Sequence, residues 1–165
     1  ACQAQYSHCA QIHEALVFNR KIQQASKKIL EQLTTSAWVA AHVHDYIPFL
    51  VDHSLDSEIL ALREVIKASQ LRPGSLYILG SQEAAAKARI LFFRWRVLTK
   101  ADLLPELKQF PMTAWAAIDF EVARQAPMYI EKPGSSFDVL LGTHRHGKLT
   151  LKLPPTCKPC PSGLC

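Results

Sequence analysis

Five cysteines are the most reactive side chains in the sequence, and they are confined to its two ends. Cys2 and Cys9 lie close to the first residue, and Cys157, Cys160 and Cys165 lie close to the last. The two-residue gap between Cys157 and Cys160 is typical of a zinc knuckle, because thiolates at this spacing can bind one ion. In an oxidised protein, an odd number of cysteines leaves one thiol free or paired between chains.

Three interpretations of these cysteines stay open. In a reducing compartment such as the cytoplasm, Cys157, Cys160 and Cys165 would bind a structural zinc ion with Cys9 as the fourth ligand. Other candidates for the fourth ligand are His8, His13, His144 and His146. In an extracellular compartment the cysteines would form disulfides that tie the two ends together, and the third possibility is free thiols.

Basic side chains between the two ends form a second group. In segment 90–98, Arg94 and Arg96 alternate with apolar residues, which predicts a strand with one cationic face. A second basic run, 144–148, is predicted to lie on a hairpin loop between two strands. Cations in such positions can neutralise phosphates, and the two histidines of the loop would strengthen binding near about pH 6. The predicted nucleic-acid interface comprises Arg89, Arg94, Arg96, Lys100, His144, Arg145, His146 and Lys148, with Arg20, Lys21, Lys27 and Lys28 as further cations.

A third group consists of His42, His44, Asp45 and His53. Imidazole and carboxylate are good ligands for first-row metals, so these residues could serve a metal-dependent hydrolase. The alternative is a set of histidines hydrogen-bonded within a partly buried helix. The sequence contains no zinc-protease, phosphate-binding-loop, dinucleotide-binding or nucleophile-elbow motif, which favours a protein without catalytic activity.

The spacing of apolar residues predicts the elements that position these groups. Helices are predicted over 6–33, 37–53, 54–69, 81–88, 100–110 and 113–125, and strands over 76–79, 90–98, 128–131, 137–141 and 148–153. The last three strands would form an antiparallel meander. The fold predicted is therefore α+β, with a helical N-terminal half packed on a small, mainly antiparallel sheet of four or five strands. Residues 1–153 would form one domain, followed by a Pro- and Cys-rich tail at 154–165.

Composition limits the class of protein. The 165 residues are 48% hydrophobic and carry a formal charge of +5 with a pI near 9.0. The high hydrophobic fraction excludes a disordered chain, and no apolar run is long enough to cross a bilayer. The function predicted is a basic nucleic-acid-binding accessory or regulatory protein. The alternative is a secreted or protein-interaction factor whose helical half binds a partner and whose ends are joined by disulfides.

Overall fold

A five-stranded parallel sheet lies between two layers of helices in the computed structural model, which describes residues 18–43, 55–145 and 147–154. The elements in chain order are α1 (Arg20–Leu33), β1 (Trp38–His42), α2 (Leu55–Ala68), β2 (Ser75–Leu79), α3 (Gln82–Leu91), β3 (Arg96–Leu98), α4 (Lys100–Leu103), a 3-10 helix (Pro105–Gln109), α5 (Met112–Gln125), β4 (Met128–Glu131), α6 (Ser136–His144) and β5 (Leu149–Lys152).

The strand order is β3-β2-β1-β4-β5, and every neighbouring pair is parallel. The predicted α+β fold with a mainly antiparallel sheet is therefore wrong, and the protein has an α/β, Rossmann-like fold. We call the end of the sheet at which the C-termini of the strands lie the carboxyl edge. The opposite end, where the strands begin, is the amino edge.

Strand β1 occupies most of the described part of the segment that the sequence predicted as helix 37–53. All five of its residues, Trp38–His42, are buried. A central parallel strand is covered on both faces, so its sequence reads as a continuous apolar run without the polar alternation that marks a half-exposed strand. Ala40 and Ala41 made that run look helical.

Helix α6 replaces a predicted strand at 137–141 and the first three residues, 142–144, of the hairpin loop predicted to follow it. Ser135 caps the helix, since its hydroxyl accepts a hydrogen bond from the amide of Asp138 at 3.4 Å. This helix carries the chain from the carboxyl end of β4 back to the amino edge. It is the reason that β4 and β5 run parallel rather than forming a meander.

Most of the other elements confirm the predictions from apolar spacing and capping residues. Helices α2, α3 and α5 and strands β2, β4 and β5 lie where they were predicted, within a few residues. Of the predicted helix 6–33, residues 20–33 form α1, whereas Phe18 and Asn19 are not helical and residues 6–17 lie outside the described ranges. Asn19 caps α1 and accepts a hydrogen bond from the amide of Ile22 at 3.1 Å. The predicted strand at 90–98 is largely wrong, because α3 extends to Leu91 and only Arg96–Leu98 is extended.

The two faces of the sheet carry different side chains. Helices α1, α5 and α6 cover the tyrosine face, which we define by Ala40, His42, Tyr77 and Tyr129. Helices α2 and α3 cover the aliphatic face, defined by the inward residues Val39, Ala41, Leu76, Ile78 and Ile130. No helix within the described ranges is long and apolar enough to cross a membrane.

Candidate functional site

The carboxyl edge between β1 and β4 is the place where the topology reverses direction. From β1 the sheet extends through β2 to β3 on one side, and through β4 to β5 on the other. The helices that follow β1 and β4 lie on opposite faces of the sheet, α2 on the face of Val39 and Ala41 and α6 on the face of Tyr129. In open α/β sheets, the crevice outside the carboxyl ends of such a pair of strands is where ligands bind. His42 ends β1, and Glu131 ends β4, on the two sides of this crevice.

A buried histidine–aspartate pair lies beside the crevice. The Nδ1 atom of His42 lies 2.6 Å from Oδ2 of Asp138, which belongs to the first turn of α6. The other carboxylate oxygen of Asp138 accepts a hydrogen bond from the Tyr129 hydroxyl. Burial, together with the negative charge of Asp138, raises the pKa of Tyr129 far above its usual range. The hydroxyl therefore remains a donor, and Asp138 holds the imidazole in one orientation.

A second buried cluster lies on the same face. The ammonium group of Lys100, at the start of α4, lies 2.5 Å from Oδ2 of Asp119, and the Tyr77 hydroxyl donates to Oδ1 of Asp119 at 2.7 Å. Burial raises the pKa of Asp119, and Lys100 partly opposes this effect. Burial and the charge of Asp119 raise the pKa of Tyr77. Each of the three groups thus offsets part of the desolvation cost of burying the other two.

Strand register explains why the two clusters lie side by side. Ala40 of β1 pairs with Tyr77 of β2 on one side and with Tyr129 of β4 on the other. The two tyrosines therefore lie on either side of a fully buried alanine and point to the same face of the sheet. Each hydroxyl meets a carboxylate supplied by a helix, Asp119 of α5 or Asp138 of α6.

Two glycines shape this edge. A Cβ atom added to Gly80 would lie 2.4 Å from the carbonyl oxygen of Val43, so only glycine fits where β1 and β2 end together. Gly134 has a φ of +80°, in the left-handed region that favours glycine, and forms the turn from β4 into α6. The N-terminus of α6 is therefore directed to the carboxyl edge beside His42.

Only part of the predicted metal sites lies within the described residues. His42 is in β1, whereas His44, Asp45, His53 and all five cysteines lie outside the described ranges. Within those ranges, no group of three or more His, Cys, Asp or Glu side chains could hold a metal ion. Zinc, disulfides and free thiols stay predictions.

The residues of the predicted nucleic-acid interface are not all on one surface. Arg89, Arg94 and Arg96 are exposed beside α3 and β3, and Arg89 pairs with Asp102 at 2.8 Å. Lys100 is buried in the cluster with Asp119. His146 lies outside the described residues, and the four cations predicted on the first helix belong to α1.

Arg145 has a structural environment that its sequence did not indicate. The side chain is only 3% exposed, and the guanidinium donates to the carbonyl oxygens of Ala123 at 2.5 Å and Ala126 at 2.9 Å. It thereby caps the C-terminus of α5, where a cation complements the helix dipole. Burial lowers the pKa of Arg145.

The neighbouring His144 packs its ring edge-on against Phe120, and Lys148 donates to the carbonyl oxygen of Arg124. Nucleic-acid binding stays a prediction for the exposed arginines.

The sequence reasoning singled out His42 but missed its partners. His42 and Asp138 are 96 residues apart, and Tyr77 and Asp119 are 42 residues apart. One available signal was the tyrosine in each of two short, otherwise nearly apolar strands, 75–79 and 128–131. A phenol buried in such a strand needs a hydrogen-bond partner from elsewhere in the fold.

No protein-family model matches this chain, and no curated protein matches it. Solved structures do. The fucosyltransferase POFUT1 in complex with GDP-fucose is similar with a TM-score of 0.60 and 9% sequence identity, and POFUT1 in complex with GDP with a TM-score of 0.58 and 12% identity. Each match covers 87% of this chain and 49% of POFUT1, so the chain spans about half the length of the structures it matches. At these identities the similarity shows the fold alone.

Proposed function

We propose that the chain binds the diphosphate of a nucleotide or nucleotide sugar at its carboxyl edge, against the first turn of α6. GDP-fucose is the first candidate. The observation that carries the proposal is the position of the α6 N-terminus at the topological switch point, where sheets of this class bind their ligands. The complexes of POFUT1 with GDP and GDP-fucose support the choice of ligand by analogy of fold.

The first turn of α6 supplies suitable donors. The first amides of an α-helix have no carbonyl partner within the helix, and in α6 these include the amides of Ser136 and Phe137. Together with the positive end of the helix dipole, such amides favour a phosphate group. Ser136 is exposed, so a ligand has access to this turn.

Helix α3 also begins at the carboxyl edge but is less suited to an anion. Its first turn carries the exposed carboxylate of Glu83. The acid in the first turn of α6 is Asp138, which is buried and bonded to His42 and Tyr129. The α6 turn therefore presents less negative charge to the crevice, and this difference favours α6 as the diphosphate site.

His42 would contribute to the same site. Its ring centroid lies 4.9 Å from that of Phe137, so the imidazole packs against the turn that would hold the phosphate. Asp138 fixes the ring orientation through its contact with Nδ1, as a carboxylate does in many histidine sites. We assign His42 the role of a positioning group beside the diphosphate.

Calorimetric titration of the 165-residue chain tests this proposal. We expect GDP and GDP-fucose to bind at least about tenfold more tightly than guanosine, because the diphosphate carries the recognition. A chain that binds guanosine as tightly as GDP, or that binds neither, would contradict the proposal.

A charge substitution locates the site. Ser136→Asp places a negative charge in the first turn of α6, where it stabilises the helix but repels an anion. We expect a loss of GDP affinity of about tenfold or more, because a like charge about 4 Å away costs between about 1 kcal/mol in bulk water and about 4 kcal/mol near a protein surface. The matched control is Thr35→Asp, which adds the same charge at an exposed position near the amino edge. Equal affinities of the two variants would exclude α6 as the site.

A further inference from the structure

An apolar groove lies at the amino edge, on the side of the sheet away from the proposed diphosphate site. It has a volume of about 530 Å³ and lies between the C-terminal parts of α2 and α3. Ile66, Leu71, Phe92 and Trp95 supply apolar side chains to it. We call it the amino-edge groove.

Phe93 makes this groove unusual for a protein surface. Its side chain lines the groove and is 82% exposed, and Ile90, three residues earlier, is 77% exposed. Single exposed apolar residues are common, but a large one that lines a concave apolar surface is typical of an interaction site.

The charged side chains that line the groove all have the same sign. Arg63, Lys67 and Arg94 line it together with the apolar residues, and no carboxylate does so among the described residues. Arg63 pairs with the exposed Glu64 at 3.1 Å, whereas Lys67 and Arg94 form no ion pair within the described ranges. A cationic rim around an apolar floor is complementary to an apolar segment flanked by acids.

We propose that the amino-edge groove binds an amphipathic acidic segment of a partner protein. The apolar side of such a segment would cover Phe93 and enter the groove, and its carboxylates would face Lys67 and Arg94. This inference is independent of the diphosphate site, since the two sites lie at opposite edges of the sheet.

Charge disfavours two other occupants. In a twofold dimer of this chain, the groove would meet its own copy and bring Lys67 and Arg94 close to like charges. The terminal segments of the chain are poor matches as well, because residues 1–17 contain one acid, Glu14, and residues 155–165 contain none.

Nucleic acid is also a weaker match for the floor of the groove. Most protein–nucleic-acid contacts are hydrogen bonds to phosphates and base edges. The floor instead presents the apolar side chains of Ile66, Leu71 and Phe92. The cations at the rim alone do not distinguish phosphates from carboxylates, so the experiment includes an oligonucleotide.

Fluorescence polarisation with labelled probes tests the proposal on the full chain. The main probe is a peptide of about 16 residues with Leu at i, i+3, i+4 and i+7 and Glu at most other positions. A second peptide replaces Glu by Gln, a third scrambles the order, and the fourth probe is single-stranded oligo-dT. We expect the acidic amphipathic peptide to bind at least about tenfold more tightly than the other three.

Two substitutions locate this binding, each with a matched control. Phe93→Asp should weaken the acidic peptide about tenfold or more, the loss typical of a central interface residue. Arg94→Glu reverses a charge at the rim and should weaken the peptide severalfold at low salt. Met112→Asp changes an equally exposed apolar residue at the start of α5, and Arg20→Glu reverses an exposed cation on α1. Both controls lie on the helices of the tyrosine face and should leave binding unchanged.

Three outcomes would overturn the proposal. One is tighter binding of oligo-dT than of the acidic peptide, which would support nucleic-acid recognition. Another is an equal change in affinity for the acidic peptide in the Phe93→Asp and Met112→Asp variants. The third is no measurable binding of the acidic peptide at low salt, about 50 mM, where attraction between exposed charges is strongest.

Discussion

The two faces of the central sheet are both covered by helices, but they bury different chemistry. On the tyrosine face, Tyr77, Tyr129 and His42 meet the buried carboxylates Asp119 and Asp138. On the aliphatic face the inward strand residues are all apolar. The strand residues of one sheet thus form an apolar layer on one face and a layer with hydrogen-bonded, ionisable groups on the other.

The two faces therefore contribute differently to the protein. The aliphatic face contributes mainly to stability, and the polar groups of the tyrosine face contribute mainly to the positioning of side chains. Apolar burial supplies most of the stability of a domain, whereas a buried ion pair is often no more stabilising than apolar residues of similar volume. A network such as Lys100–Asp119–Tyr77 is therefore more informative about arrangement than about stability. Lys100 also donates to the carbonyl oxygen of Gly80 at 3.5 Å, at the carboxyl edge where His42 and the first turn of α6 lie. Departures from an apolar core are expected near functional sites.

Removing Asp119 should have the largest effect on stability. Asp119→Ala leaves the buried ammonium group of Lys100 without its counter-charge and the Tyr77 hydroxyl without its acceptor. We expect the free energy of unfolding to fall by about 3 to 5 kcal/mol, measured by urea denaturation. Ile78→Val on the aliphatic face is the control and should cost about 1 kcal/mol. Equal losses would remove the distinction between the faces.

High pH should weaken the tyrosine face selectively. Burial raises the pKa of Tyr77 and of Tyr129, so both phenols stay protonated in the folded protein when they would ionise in the unfolded chain. The folded state then holds more protons above about pH 10, and the free energy of unfolding falls as pH rises. The expected loss is about 1.4 kcal/mol per pH unit for each tyrosine.

Denaturation at several pH values above about 10 measures this slope. A Tyr77→Phe/Tyr129→Phe double variant removes both phenols and should flatten it, although its stability at neutral pH will be lower. If the double variant kept the slope of the unsubstituted chain, the two hydroxyls would not be the groups that titrate.

Asp138→Asn should have a smaller effect on stability and a specific effect on His42. The asparagine oxygen cannot accept from both Tyr129 and His42 as well as the carboxylate does, so we expect a loss of about 1 to 3 kcal/mol. Long-range ¹H–¹⁵N NMR should show a proton on Nδ1 of His42 in the unsubstituted chain and a different tautomer population in the variant. Asp56→Asn, at the exposed pair with Lys87, is the control and should cost less than about 1 kcal/mol. A tautomer unchanged by Asp138→Asn would show that Asp138 does not orient the ring.

The sequence predicted most individual elements because their signals are local. Apolar residues at helical spacing marked α2 and α5, and Ser81 with the alanines after it marked α3. Strands β2 and β4 were found as short apolar runs. These features depend on residues within a few positions of one another, which a single sequence displays directly.

The arrangement of the sheet was not predictable in the same way. It depended on two ambiguous apolar segments, 38–42 and 136–144, which the sequence assigned to the wrong type of element. Interpreting α6 as a strand turned a parallel β4–α6–β5 unit into a meander. The partners of His42 were missed for a related reason, because contacts across 96 residues exist only once the fold is known.

Placement of the diphosphate on α6 is the central claim, and backbone NMR during a GDP titration tests it most directly. We predict that the amides of Ser136 and Phe137 show the largest shifts on adding GDP, and that guanosine leaves them nearly unchanged. The largest GDP shifts at residues outside the carboxyl edge, such as Phe93 and Arg94, would contradict the account.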